Sequence, residues 1–235
     1  MSNANYYGNE YMYQQGNPQL TPSKLYSMQY YSVYKFIKFS VEYTYQKDYI
    51  ALNFYNNGKD NMVLSTYKNF PTKQNLNAYI NLQKKWGIWS PSLSLGISQP
   101  FFKCNYRGEE IKHNRASAYV VFNQFFQLPH NYMLSSYVYY NTGGNQGAVK
   151  LEPFHSIDLG LQKSFLSNKL MISLNAKDIF HGMKFKETEL LDAFYFTQTE
   201  NYHLWNYSLN ITYRINSKKT KYRGKNALDS DIKRL

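Results

Sequence analysis

The strongest constraint on this chain lies near its end. From Trp205 to Asn216 the residues alternate without a break: Trp205, Tyr207, Leu209, Ile211, Tyr213 and Ile215 are aromatic or aliphatic, and Asn206, Ser208, Asn210, Thr212, Arg214 and Asn216 are polar. Side chains alternate across an extended strand with a period of two, so the pattern predicts a β-strand over 202–216 with one apolar and one polar face. At about 3.3 Å per residue its alternating core is roughly 36 Å long. Tilted by about 45°, a strand of that length covers the roughly 25 Å apolar band of an outer membrane. Tyrosines near its ends suit the headgroup level, where an amphipathic ring has one wet and one apolar neighbour.

The rest of the chain repeats this pattern. Strands are predicted at 23–34, at 39–55 with Phe39, Val41, Tyr43 and Tyr45 opposite Ser40, Glu42 and Thr44, and at 62–67 continuing after Pro71 into 76–83. Further ones fall around 92–98, 116–123, 132–140, 156–162 and 170–177. Asn56-Asn57-Gly58-Lys59-Asp60 is a turn signal, because Asn-Gly tolerates the positive φ that hairpins demand. Residues 1–22 are polar and end in Gly16-Asn17-Pro18-Gln19-Leu20-Thr21-Pro22, which predicts a loop. Lys103 to Asn114, Thr142 to Gly147 and His181 to Asn201 are also expected to be loops. About nine strands result, with short connections near 35, 87, 130 and 167 and long ones near 58, 108, 147 and 190. Short turns at one end and long loops at the other are the habit of outer-membrane barrels.

Composition excludes several classes. Mean hydropathy is −0.61 and there is no run of 18 apolar residues, so no membrane-spanning helix can be drawn. Alternating barrel strands escape that test, because their two faces average out. In the strand centres the polar positions are mostly Ser, Asn, Gln and Gly, as a water-filled lumen allows, while the opposite positions are uniformly apolar. A soluble antiparallel sheet with one solvated face also alternates, and a surface-attached β-sheet binding module is the competing reading. The net charge is +12, but Lys and Arg cluster in loops and in the tail rather than along one strand face, which argues against a nucleic-acid partner. The start, Met1-Ser-Asn-Ala-Asn, has neither a basic nor an apolar leader region, so the expectation is either that the protein is not exported or that this chain is the later part of a longer one.

Three motifs carry a resemblance. Gly16-Asn17-Pro18-Gln19-Leu20-Thr21-Pro22, Leu174-Asn175-Ala176-Lys177-Asp178-Ile179-Phe180 and Leu209-Asn210-Ile211-Thr212-Tyr213-Arg214-Ile215 resemble, in order and spacing, the C-terminal barrel half of TonB-dependent-receptor-like outer-membrane proteins. In that family the Asp-Ile-Phe triplet closes the penultimate strand, and Phe usually stands where this chain has Ile215. The basic end, with Tyr222-Arg223-Gly224 and Arg234-Leu235, looks like the short periplasmic tail of one subgroup. The resemblance implies an all-β, antiparallel meander forming part of a transmembrane barrel of about twenty-two strands, with short periplasmic turns and long outer loops. It divides the chain into a polar loop (1–22), a barrel portion (23–216) and a basic periplasmic tail (217–235). It also implies uptake of a bulky ligand, and as partners the outer-membrane lipid, the barrel-assembly machinery, an N-terminal plug and barrel half supplied from outside this chain, and TonB acting through that missing part.

Candidate sites are few. His113, His130, His155, His181 and His203 have no ligand spacing, and Cys104 stands alone, so no metal, cofactor or catalytic residue is assigned. Ser156 beside His155 lacks the aimed base and oxyanion hole of a nucleophile. Asp158 and Lys177 fall on the polar faces of consecutive strands, either paired across the hairpin or separately hydrated. Asn206 and Asn210 match a glycosylation pattern inside a strand, which reads as chance. Loops 56–72, 142–153 and 181–201 are the expected places of ligand contact, and the ligand is not readable.

Overall fold

The computed structural model describes residues 5–9, 12–56, 63–191, 194–201 and 203–215. Its strands are β1 (Asn5–Asn9), β2 (Met12–Gln15), β3 (Lys24–Tyr34), β4 (Ile37–Asn56), β5 (Val63–Gln83), β6 (Trp89–Tyr106), β7 (Glu109–His113) and β8 (Ser117–Leu128). Then come β9 (Tyr132–Asn141), β10 (Gly144–Gln146), β11 (Val149–Leu151), β12 (Phe154–Phe165), β13 (Leu170–Lys177), β14 (Lys184–Leu191), β15 (Phe194–Asn201) and β16 (Asn206–Tyr213). Nine of these form an antiparallel meander, β3-β4-β5-β6-β8-β9-β12-β13-β16, with short turns at 35–36, 84–88, 129–131 and 166–169. Among the described residues β3 and β16 each have one neighbour, and the sheet does not close.

The register aligns the two predicted faces across the sheet. Tyr34, Ile37, Leu82, Leu93, Phe122, Val138 and Ile157 lie in one row of successive partners. The next row reads Val33, Lys38, Asn81, Ser94, Val121, Tyr139 and Ser156, largely polar. At the last hairpin Leu170 pairs with Tyr213, Ile172 with Ile211 and Leu174 with Leu209, so these side chains share one face. Among the described residues that face has no protein cover: Leu174, Leu209 and Ile211 are 53%, 59% and 63% exposed. The strand is Asn206–Tyr213 rather than 202–216, because β13 supplies ladder partners only from Leu170 to Lys177; Trp205 and Ile215 lie just outside it.

The buried apolar residues sit elsewhere. β4, β5 and β6 run for 20, 21 and 18 residues, far beyond the 8 to 12 of β8, β9, β12 and β13. Midway up, Asp48 takes a positive φ of 52° opposite Pro71, which has no N–H to give, while the pairs on either side, Lys47 with Thr72 and Tyr49 with Phe70, keep register. The side-chain alternation reverses at this kink. Lys73 is on the polar face, yet its Nζ lies 3.3 Å from the Tyr49 hydroxyl, and Tyr49 and Phe70 both pack on Phe102. Phe54, Phe70, Phe102, Cys104 and Ala148 form a buried cluster at this end of the sheet.

Several expected loops are strands. Residues 103–114 continue β6 and return as β7, and residues 68–72 of the expected loop 56–72 join the strand expected at 62–67 within β5, held there by β4. Residues 142–153 and 181–201 form a second sheet, β10-β11-β14-β15, in which β11 pairs with β14 from the other connection. Within the expected loop 1–22, β1 and β2 form a hairpin, and β2 runs parallel to β5. Each of these strands finds a partner distant in sequence or hidden by polar composition, which local pattern does not reveal. The turn at 57–60 and the tail 217–235 lie outside the described residues.

Candidate functional site

The polar face of the main sheet carries a ladder of side-chain hydrogen bonds. The Asn75 amide donates to Asn77 Oδ1 (2.6 Å) and to the Ser98 hydroxyl (3.1 Å), and the Asn81 amide donates to Ser94 (2.9 Å). The Ser27 hydroxyl and the Asn77 amide both donate to Glu42, at 3.2 and 3.5 Å. Close approach is built in at Gly96, whose cross-strand partner Tyr119 lays its ring where a Cβ would stand. Any side chain there would displace the tyrosine.

The second sheet lies over the loop end of this face, touching β4, β6 and β12. Beneath the β10–β11 hairpin is a cleft of about 340 Å³ lined by Thr44, Gln46, Lys73, Asn75, Ser98 and Pro100 below and by Asn145, Gln146 and Gly147 above. A second cleft, of about 270 Å³, lies among Tyr137, Tyr139, Ser156, Asp158, Lys177 and Asp178, with Met183 and Leu204 at its upper side. The first offers amides, hydroxyls and one ammonium; the second offers two phenols, two carboxylates and one ammonium. Both suit hydrogen bonding to a polar ligand.

Asp178 organises the second cleft. It is 3% exposed, has a φ of 46°, and its carboxylate accepts hydrogen bonds from the backbone N–H of Gly182 (2.9 Å) and Met183 (3.3 Å). Its own N–H donates to Asp158 Oδ1 at 2.9 Å, and the same oxygen accepts the Ser156 hydroxyl at 2.8 Å. Asp158 is thereby used locally. Among the described residues it makes no ion pair with Lys177, although the two line one cleft. Ser156 and His155 are neighbours on a strand and point to opposite faces, with His155 against Gly182.

The Gly16–Pro22 motif also acquires a structural role. Asn17 donates from its side chain to the Tyr67 carbonyl (2.9 Å), and Asn69 clamps the segment by accepting from the Thr21 N–H and donating to the Thr21 and Asp48 carbonyls, each at 2.9 Å. The segment is thus carried across the β4–β5 hairpin to the start of β3. Sequence reasoning missed Asn69 because nothing local distinguishes it from its neighbours in Lys68-Asn69-Phe70.

The histidines are dispersed. His113, 4% exposed, places Nε2 3.1 Å from Cys104 Sγ and lies beside Phe102; burial holds its imidazole below the ordinary range. His181 stacks on Trp205, and His130 occupies a turn with a φ of 58°. Ion pairs at the loop end join Lys103 to Glu110 at 2.9 Å and Lys150 to Glu152 at 2.9 Å, each lysine holding its partner carboxyl below the usual range. Burial, with Glu187 nearby, pushes Glu189 upward.

No curated protein and no solved structure matches this chain. Residues 1–213 match a family described as outer membrane protein beta-barrel. That family is non-catalytic, and the protein is not an enzyme. A two-faced antiparallel sheet with one uncovered apolar side is the structure that such membership requires. The chain belongs to this outer-membrane β-barrel family and is a protein of the outer membrane.

Proposed function

We propose that this chain forms the C-terminal part of a TonB-dependent-receptor-like barrel that takes up a bulky ligand, and that it is incomplete as a barrel by itself. The observation that carries the reading is the state of the two edges. An antiparallel meander of nine strands starts and ends in the same direction, so β3 and β16 could close on each other only as a parallel pair. Single-chain bacterial barrels are antiparallel and even in number, and an unpaired edge in lipid costs several kcal/mol per backbone group. Strands from outside this chain, odd in number, would complete the wall.

In this reading residues 23–216 are the barrel portion, residues 1–22 lead into it, and residues 217–235 are a basic tail in the periplasm. The short turns face the periplasm and the capped end faces outward. A ligand arriving from outside meets Asn145, Gln146 and Met183 of the cap before the polar face beneath it. The missing part supplies the plug and the contact with TonB, and the barrel-assembly machinery inserts the whole.

Reconstitution tests the proposal. The 235-residue chain is refolded into bilayers alone or together with an upstream plug-and-strand segment, and conductance and ligand uptake are measured. Energised uptake by the chain alone contradicts the proposal; uptake only with the added segment is the expected result.

A further inference from the structure

The turn end of the sheet differs from the rest in charge. No Asp or Glu occurs in residues 24–41, 79–108, 111–151, 159–177 or 201–215, which include all four short turns and the strand ends beside them. Lysines are nevertheless frequent there, and three lie over aromatic rings of the apolar face or of the turns themselves. Lys35 Nζ is 5.2 Å from the Tyr34 ring centre, and Lys84 Nζ is 5.0 Å from Phe36 and 5.4 Å from Trp86. Lys163 Nζ is 4.1 Å from the Tyr132 ring, 5.0 Å from Phe165, and donates to the Tyr132 hydroxyl at 2.7 Å. None of the three has a carboxylate partner among the described residues, whereas Lys103 and Lys150 at the opposite end do.

We infer that this rim is a docking belt for anionic phospholipid headgroups, with Lys35, Lys84 and Lys163 as the phosphate-binding groups. An ammonium has three donors, and an aromatic ring beneath it satisfies only one side. Long side chains rooted on an apolar face and ending in a charge extend to the headgroup level, where the phosphate oxygens lie. The rings they cover are the amphipathic and aromatic groups that themselves settle at that level. The spacing selects a surface over a single small anion: the three lysines are spread across six neighbouring strands, β4 to β12, roughly 24 Å at about 4.8 Å per strand. They cannot converge on one free phosphate, but they match a row of headgroups. The inference depends on the outer-membrane location and not on the receptor reading.

Tryptophan quenching tests it directly. Trp86 and Trp89 lie against each other at the rim, tilted by 30° with ring centres 5.4 Å apart, so a Trp205→Phe version of the full chain reports from that rim alone. It is refolded into phosphatidylcholine bilayers containing either brominated phosphatidylglycerol or brominated phosphatidylcholine, and the relative association of the two is read from the quenching. The expected result is a preference of about fivefold or more for phosphatidylglycerol, weakened by salt. It should fall to about unity in Lys35→Gln/Lys84→Gln/Lys163→Gln and persist in Lys103→Gln/Lys150→Gln. If the triple variant does not refold, Lys84→Gln alone must reduce the preference and Lys84→Arg must restore it. Equal quenching by both lipids, or an unchanged preference without the three lysines, overturns the inference. Loss of the preference in inorganic phosphate but not in chloride of matched ionic strength overturns it too, since the site would then take a free anion.

Discussion

The two ends of the β4–β5–β6 wall are built on opposite principles. Below the Asp48–Pro71 kink the sheet buries almost nothing against itself: its apolar rows are exposed, and its other side is a ladder of Asn, Ser and Glu. Above the kink the same strands enclose Phe54, Phe70 and Phe102 beneath a second sheet, as a water-soluble domain would. The lower part needs an apolar phase outside it; the upper part brings its own. On the proposed barrel reading the difference would locate the membrane: a strand of about 10 tilted residues crosses a bilayer, so about half of the 20 residues of β4, with the buried core and the cap, would stand outside it.

The largest expected effect separates the two ends. Phe102, 1% exposed and in contact with Tyr49, Phe70 and His113, loses about 3–5 kcal/mol on replacement by Ala. Amide exchange should then lose protection in 49–55, 63–70 and 184–191 while 132–140 and 157–164 stay protected. Uniform loss would mean that the ends are one cooperative unit. The lower end is probed by charge: Ile211→Lys costs about 2–4 kcal/mol in denaturant titrations of bilayer-inserted protein, and Asn210→Lys on the other face costs close to nothing. Equal costs would erase the distinction between faces.

Smaller effects sharpen the boundary. Asn69→Ala removes the clamp on the segment crossing β4 and β5, for about 1–2 kcal/mol, and should open Gly16–Pro22 to limited proteolysis without altering the meander. The smallest are set by pH and belong to the upper end alone. His113 is held neutral by burial, so its contribution is intact above about pH 6.5 and is lost as pH falls toward its lowered folded value. Glu189 has the opposite sign, because its raised folded value makes the cap weaker as pH rises through that value. Denaturation followed from the cap should show both trends in the native chain, the first absent in His113→Phe and the second in Glu189→Gln.

Much of the lower part was legible in the residues. The alternations around Phe39–Tyr45, Leu93–Ile97, Leu170–Ala176 and Trp205–Ile215 put the apolar side chains on one face, and the short turns fell at Lys35, Trp86, His130 and Asn168 as the breaks in pattern indicate. The upper part was not. Lys184–Leu191 and Phe194–Asn201 carry Lys, Glu, Thr and Gln among their apolar residues, and the first of them pairs with Val149–Leu151 about forty positions away, so neither composition nor neighbourhood marks them as strands. Pro71 was visible, but its consequence was not: a reversal of faces depends on Asp48 standing opposite it, which only the register reveals. In sequence Asp178 marks the close of a strand; in the structure its carboxylate ties the turn that follows. Polar groups used for local pinning look in sequence like any other polar residue.

The central claim is that the lower sheet stands between lipid on one side and water on the other. Spin labels placed singly at 207 to 213 in a Cys104→Ala background, with the chain refolded in bilayers, test it through collision rates with oxygen and with a water-soluble nickel chelate. The account predicts oxygen maxima at 207, 209, 211 and 213 and nickel maxima at 208, 210 and 212. Nickel access at every position, with no alternation, would contradict it.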